Sequence, residues 1–188
     1  MISAARYAKL KTILYKCTVY AIALFLIAIA QATFFSRINF FSATPDLLLA
    51  AIVLLCLKEE HKIASICAII SGLFYCAIGT SEYPVYILFS FLCGYIIWIV
   101  AERSFGKSYF SYLALSAMTF GIKGIFNILY SALFSSTFTL PRIITSIVLP
   151  EFASSMLFCS ISFLVFSFIN MLVNRKSKNR KESFKNGF

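Results

Sequence analysis

Six apolar runs parted by short polar loops occupy most of this chain and leave it few folds to adopt. They extend from about Thr12 to Phe35, Pro45 to Leu57, Ile63 to Ile78, Pro84 to Ala101, Tyr109 to about Phe134, and about Ile147 to Val173. Several reach or approach the roughly 20 residues with which an α-helix crosses a bilayer core. A soluble fold of 188 residues needs a charged surface, and here only 13% of residues are charged while 61% are hydrophobic. The expected fold is therefore an all-α polytopic membrane protein with about six transmembrane helices.

The second and third runs are short for full spans. A re-entrant hairpin is excluded by the turn between them, Lys58-Glu59-Glu60-His61-Lys62. Charges at the bilayer centre cost about 2.5–3.5 kcal/mol each even on a lenient scale. Both runs are expected to span, with thinning or snorkelling at their ends.

Six spans put both termini on one side. That side carries Arg6, Lys9, Lys11 and Lys16, the loop residues Lys58, Lys62, Arg103 and Lys107, and Arg175, Lys176, Lys178, Arg180, Lys181 and Lys185. Only Arg37 and Arg142 lie on the other. Fourteen against two places both termini in the cytoplasm. The organisation expected is a basic cytoplasmic N-terminus (1–11), one six-helix membrane domain (12–173) and a disordered basic cytoplasmic tail (174–188). The first run lacks a small-x-small cleavage site and is read as a retained helix. Basic residues that flank spans, with no folded basic surface, argue against a nucleic-acid partner despite the net charge of +10.

Motifs of catalysis are missing: there is no P-loop, HExxH, GxSxG or paired-cysteine element. The six cysteines lie mostly inside apolar runs, where a thiol acts as a small hydrophobe, and His61 has no second histidine with which to bind a metal. His61 is expected to be a solvated loop residue. Neither enzyme activity, metal nor cofactor is expected.

Lys123, in FGIKGIFN, is the one clearly intramembrane charge. It falls about 21 Å along a helix starting at Tyr109, and Glu151 falls about one turn into the sixth run from the other side. A Lys123–Glu151 pair near the outer leaflet is the expectation, with outward snorkelling of Lys123 as the alternative. Gly121 and Gly124 suit close helix packing. Pro45 and Asp46 suit a helix start, with Thr44 as cap and Asp46 in the first turn. Gln31 is placed to hydrogen-bond across to a neighbouring helix start. Trp98 and the tyrosines near span ends fit interfacial anchors, and the phenylalanines fit lipid-facing bulk.

A basic start, a first span ending in Gln31-x-Thr33, a short loop, and Pro45-Asp46-Leu47-Leu48-Leu49 opening a second span resemble the rod shape-determining protein MreD family. The charged loop Lys58–Lys62, Gly72-Leu73 in the third run and Gly94-Tyr95 in the fourth extend the resemblance. One departure stands out: where family members usually carry an Asp after the Gly-Leu element, this chain has Tyr75-Cys76. The resemblance implies a non-catalytic scaffold in the bacterial inner membrane that helps organise lateral peptidoglycan synthesis and maintain cell shape. Its implied partners are an MreC-like protein and, through it, MreB, RodA and a class B penicillin-binding transpeptidase. Gln31, Pro45, Asp46, Gly72, Gly94, Lys123 and Glu151 are the structural or interaction residues singled out. The family is also similar to the substrate-binding components of energy-coupling-factor vitamin transporters, which gives the alternative of a small-molecule uptake subunit. Such a subunit needs convergent polar groups in an outward-facing pocket, and polar residues within these spans are few.

Overall fold

The computed structural model describes residues 2–35, 43–77, 85–104, 106, 108–134 and 140–186. Arg37, the Gly79–Glu82 loop, Pro84 and Lys107, on which loop and topology expectations drew, lie outside the described residues. Within them the elements are helical: α1 (Ile2–Ala30), α2 (Leu47–Lys58), α3 (His61–Ala77), α4 (Val85–Ser104), α5 (Tyr109–Phe134), the short α6 (Leu140–Ile143) and α7 (Leu149–Asn186). A π-helical turn, Gln31–Phe35, closes α1, and a second, Ile144–Val148, joins α6 to α7. The second has a local cause. Pro150 has no N–H for the α-helical ladder, and the Leu149 N–H reaches back to the Ile144 carbonyl in the wider register.

Helix α2 is the axis of the fold. Helices α1, α3, α4, α5 and α7 all pack on it, and they touch one another in that order to close a ring. Ten consecutive residues, Leu48 to Leu57, are 4% exposed or less. A helix that is apolar on every face is one that protein covers on every face, and LLLAAIVLLCL is such a sequence. This corrects the expectation of a second run matched to lipid by thinning or snorkelling. With 12 residues, α2 rises only about 18 Å against about 30 Å of hydrocarbon, and its protein sheath removes any need for the match.

The ring helices carry the apolar surface. Stretches Leu10–Phe35, Tyr109–Phe134 and Leu140–Arg175 are each long and apolar enough to cross a membrane. Ile22, Leu26, Leu88, Leu92, Ile125, Leu129, Leu157, Leu164 and Phe168 are exposed along the outside. Water would not tolerate so much contiguous apolar surface. The fold is consistent with a polytopic, multi-pass membrane protein with at least three long apolar helices.

Two other expectations change. Helix α7 continues to Asn186 through the tail expected to be disordered. Extending an existing helix avoids the nucleation cost that a separate polar segment would face. The segment expected as a polar loop before the sixth run is already helical from Leu140.

Between lipid-embedded helices close packing, not the hydrophobic effect, supplies most of the adhesion. The α3–α4 seam is built for it, with Ala68 and Gly72, four residues apart, facing Ser90 and Gly94. A Cβ on Gly72 would stand 2.7 Å from the Ile87 Cα, and one on Gly94 would stand 2.7 Å from the Ala68 Cβ. Ser90 Oγ donates to the Ala68 carbonyl (2.9 Å), and Cys56 Sγ donates to the Gly94 carbonyl (3.3 Å), tying the seam to α2. Gly124 likewise admits Val148, whose Cγ1 would lie 2.7 Å from an added Cβ, whereas nothing lies within 4 Å of one on Gly121. The packing role expected of both glycines therefore holds for Gly124 alone. Gly72→Ala is expected to destabilise the purified protein by about 1–3 kcal/mol in a detergent unfolding titration. Gly121→Ala, gaining helix propensity, should be neutral or slightly stabilising; equal loss in both would contradict the seam.

Candidate functional site

A buried helix start poses a specific problem. Its first backbone N–H groups have no partner within the helix, and no water is at hand. At α2 three side chains answer it. The Asp46 N–H donates to Ser155 Oγ of α7 (2.9 Å). Gln31, presented by the π turn of α1, accepts from the N–H groups of Leu47 (3.1 Å) and Leu48 (3.2 Å) through Oε1. Asp46 Oδ1 accepts from the Leu49 N–H (2.9 Å). The bond expected from Gln31 to a neighbouring helix start is thus formed. The cap is Asp46 rather than Thr44, and Pro45 precedes the helix instead of opening its first turn. The reason is chemical: the carboxylate of Asp46 caps the helix and also meets a cation.

That cation is Lys123. Its ammonium donates to Asp46 Oδ2 and, at 2.5 Å, to Glu151 Oε1. Asn127, one turn along α5, donates to Glu151 Oε2 (3.3 Å). The Tyr75 ring centre of α3 lies 5.4 Å from the ammonium. Lys123 therefore does not snorkel; its side chain is 9% exposed, and that of Asp46 is 2%. The expected Lys123–Glu151 contact is present, with Asp46 as a third member. Two carboxylates share one ammonium, and the positive end of the α2 dipole supplies further compensation at Asp46. The gap among Phe120, Lys123, Gly124, Val148, Glu151, Phe152 and Ser155 is about 10 Å³, room for no more than a water.

A second polar cluster closes the other end of α2. Glu59, its side chain 3% exposed, accepts from Lys16 Nζ (2.8 and 3.1 Å), Tyr20 Oη (2.7 Å), Asn170 Nδ2 (3.0 Å) and Asn174 Nδ2 (3.4 Å). Lys58 reaches Ser167 Oγ (2.6 Å) and lies 4.7 Å from the centre of the Phe163 ring. The turn expected to be a solvated loop is only Glu59-Glu60, and one of its two acids is buried. His61 is not a free loop residue either. Its ring lies 4.4 Å from that of Trp98, and Nδ1 pairs with Ser65 Oγ (3.1 Å). The Trp98 ring of α4 thus packs, tilted, against the start of α3. Tyr20 and Tyr112 are fully buried, the latter donating to the Ala50 carbonyl (3.3 Å), so these two tyrosines are core links and not belt residues.

Glu59 and its partners are not among the residues singled out from sequence, yet a signal for them is present there. Lys16 and Tyr20 on α1, and Asn170 and Asn174 on α7, are polar pairs one turn apart at the ends of long apolar runs. Of the residues singled out from sequence, Gln31, Asp46, Lys123 and Glu151 meet at one site. Pro45 adjoins it, whereas Gly72 and Gly94 belong to the α3–α4 seam. Among the described residues, no group of three or more His, Cys, Asp and Glu side chains is placed to hold a metal ion.

Comparison with protein-family profiles, with characterised proteins and with solved structures finds no match to this chain. What the clusters do must be read from their geometry. Gln31, Ser155, Lys123 and Glu151 all meet the α2 start from other helices of the same chain, so the arrangement fastens α1, α2, α5 and α7 together.

Breaking a buried ion pair from one side costs about 3–5 kcal/mol, because a charge is left uncompensated. Lys123→Met should lose stability of that order in a detergent unfolding titration. Adding Asp46→Asn and Glu151→Gln to it should restore much of the loss, since no charge is then stranded. A triple variant as unstable as the single one would show that the ammonium acts through something other than these two carboxylates.

Proposed function

We propose that this chain is a non-catalytic membrane scaffold of the MreD type, crossing the bacterial inner membrane six times with both ends in the cytoplasm. In that role it holds an MreC-like protein and, through it, MreB, RodA and a class B penicillin-binding transpeptidase, so that lateral wall synthesis stays organised and the rod shape persists. One observation carries the reading. The residues behind the resemblance, Gln31, Pro45, Asp46, Gly72 and Gly94, lie at helix–helix junctions, and Gln31 and Asp46 bond the α2 start directly. A signature spent on internal fastening is what a scaffold needs, because its product is a rigid surface.

The uptake-subunit alternative, which would share a six-helix layout with energy-coupling-factor components, asks for an outward-facing cavity lined by convergent polar groups. The polar groups at the Asp46 end, the outer end in this reading, face one another across about 10 Å³. Ligand clefts run to roughly 300–1,000 Å³, which favours the scaffold.

Affinity purification of the full chain from host membranes, under mild detergent, tests the proposal. Recovery of MreC-like and RodA-like proteins, with loss of rod shape when the chain is depleted, is the expected result. Recovery of an ATPase module carrying a bound vitamin, with normal shape on depletion, would overturn it.

A further inference from the structure

The ring around α2 has one loose seam. Helices α1 and α7 make the sparsest contact of any neighbours in the ring. Between them lies a groove of about 690 Å³, within the roughly 300–1,000 Å³ span of ligand-binding clefts. Its walls are apolar side chains, among them Ile22, Leu26, Ile169 and Leu172, with Ala23 and Val173 buried behind them. Its polar end is formed by Tyr15 and Arg175, and no acidic residue lines it.

Length discriminates among occupants. The groove follows α1 from Tyr15 to Ile27 and α7 from Val165 to Arg175, which are rises of about 18 and 15 Å. Half of a roughly 30 Å hydrocarbon core is about 15 Å. The groove is thus about as long as one leaflet is thick, with Tyr15 and Arg175 at its basic end. A partner's crossing helix needs a track through both leaflets; an acyl chain needs one. Charge points the same way, since Arg175 and Lys11, the latter one turn before Tyr15, are exposed at that end. Basic pockets between membrane helices favour anionic headgroups.

We propose that the α1–α7 seam binds one anionic phospholipid, an acyl chain filling the groove and the headgroup phosphate meeting the Arg175 guanidinium. The lipid completes the ring at its weakest seam, and this holds independently of the elongation-complex reading. Leu26, exposed in the deep half of the groove, offers a reporter position. The full-length Leu26→Trp chain is reconstituted in mixed vesicles of phosphatidylcholine and phosphatidylglycerol, with brominated acyl chains on one lipid or the other. Its fluorescence is corrected for that of Trp98, measured on the unmodified chain. Brominated phosphatidylglycerol should quench selectively, and Arg175→Gln, an exposed substitution unlike one in the core, should weaken that preference about fivefold. Equal quenching by both lipids would mean ordinary surrounding lipid and would overturn the proposal. Protection from both would mean that a helix or second copy fills the seam, which overturns it equally.

Discussion

Four backbone N–H groups at the start of α2 set the terms for the rest of the molecule. A helix buried on all sides must find acceptors for them inside the protein, each unmet donor costing about 1–3 kcal/mol. Gln31, Asp46 and Ser155 supply those acceptors from three separate parts of the chain. The carboxylate recruited as the cap then needs its own charge met, which brings in Lys123, and Lys123 brings in Glu151. Backbone accounting thus explains why an intramembrane ammonium sits where it does.

The two ends of α2 share a logic with different residues. From Asp46 to Glu59 the helix axis rises about 20 Å, so the clusters lie closer together than the two faces of a roughly 30 Å hydrocarbon slab. Each ties α1 and α7 to the axis, through Gln31 and Ser155 at one end and through Lys16, Tyr20, Asn170 and Asn174 at the other. Helices α3 and α4 join by small-residue packing instead. The result is an axis fixed at both ends within a ring whose α1–α7 seam is held mainly at those ends. Rigidity of that kind suits a protein that works by positioning others.

Much of the fold was legible in the sequence because length and apolarity alone dictate membrane helices. The start of α2 was legible as well: an isolated glutamine near the end of a span and an acid at a helix start have few physical uses in lipid. Lys123 announced itself as a charge out of place. What escaped was the position of α2. A helix wrapped in protein and one wrapped in lipid are both apolar on every face, so composition cannot separate them. Glu59 escaped for a related reason. In KEEHK it reads as one loop charge among four, and only the fold brings Lys16, Tyr20, Asn170 and Asn174 around it.

Hydrogen–deuterium exchange resolved by residue in reconstituted membranes tests the central claim most directly. If α2 is an axis whose first amides are held by side chains of other helices, Leu47, Leu48 and Leu49 should exchange as slowly as the middle of the helix. Gln31→Ala should then release the amides of Leu47 and Leu48 while leaving Leu49, held by Asp46, protected. Rapid exchange at all three in the unaltered protein, or no change at Leu47 and Leu48 in the variant, would contradict the account.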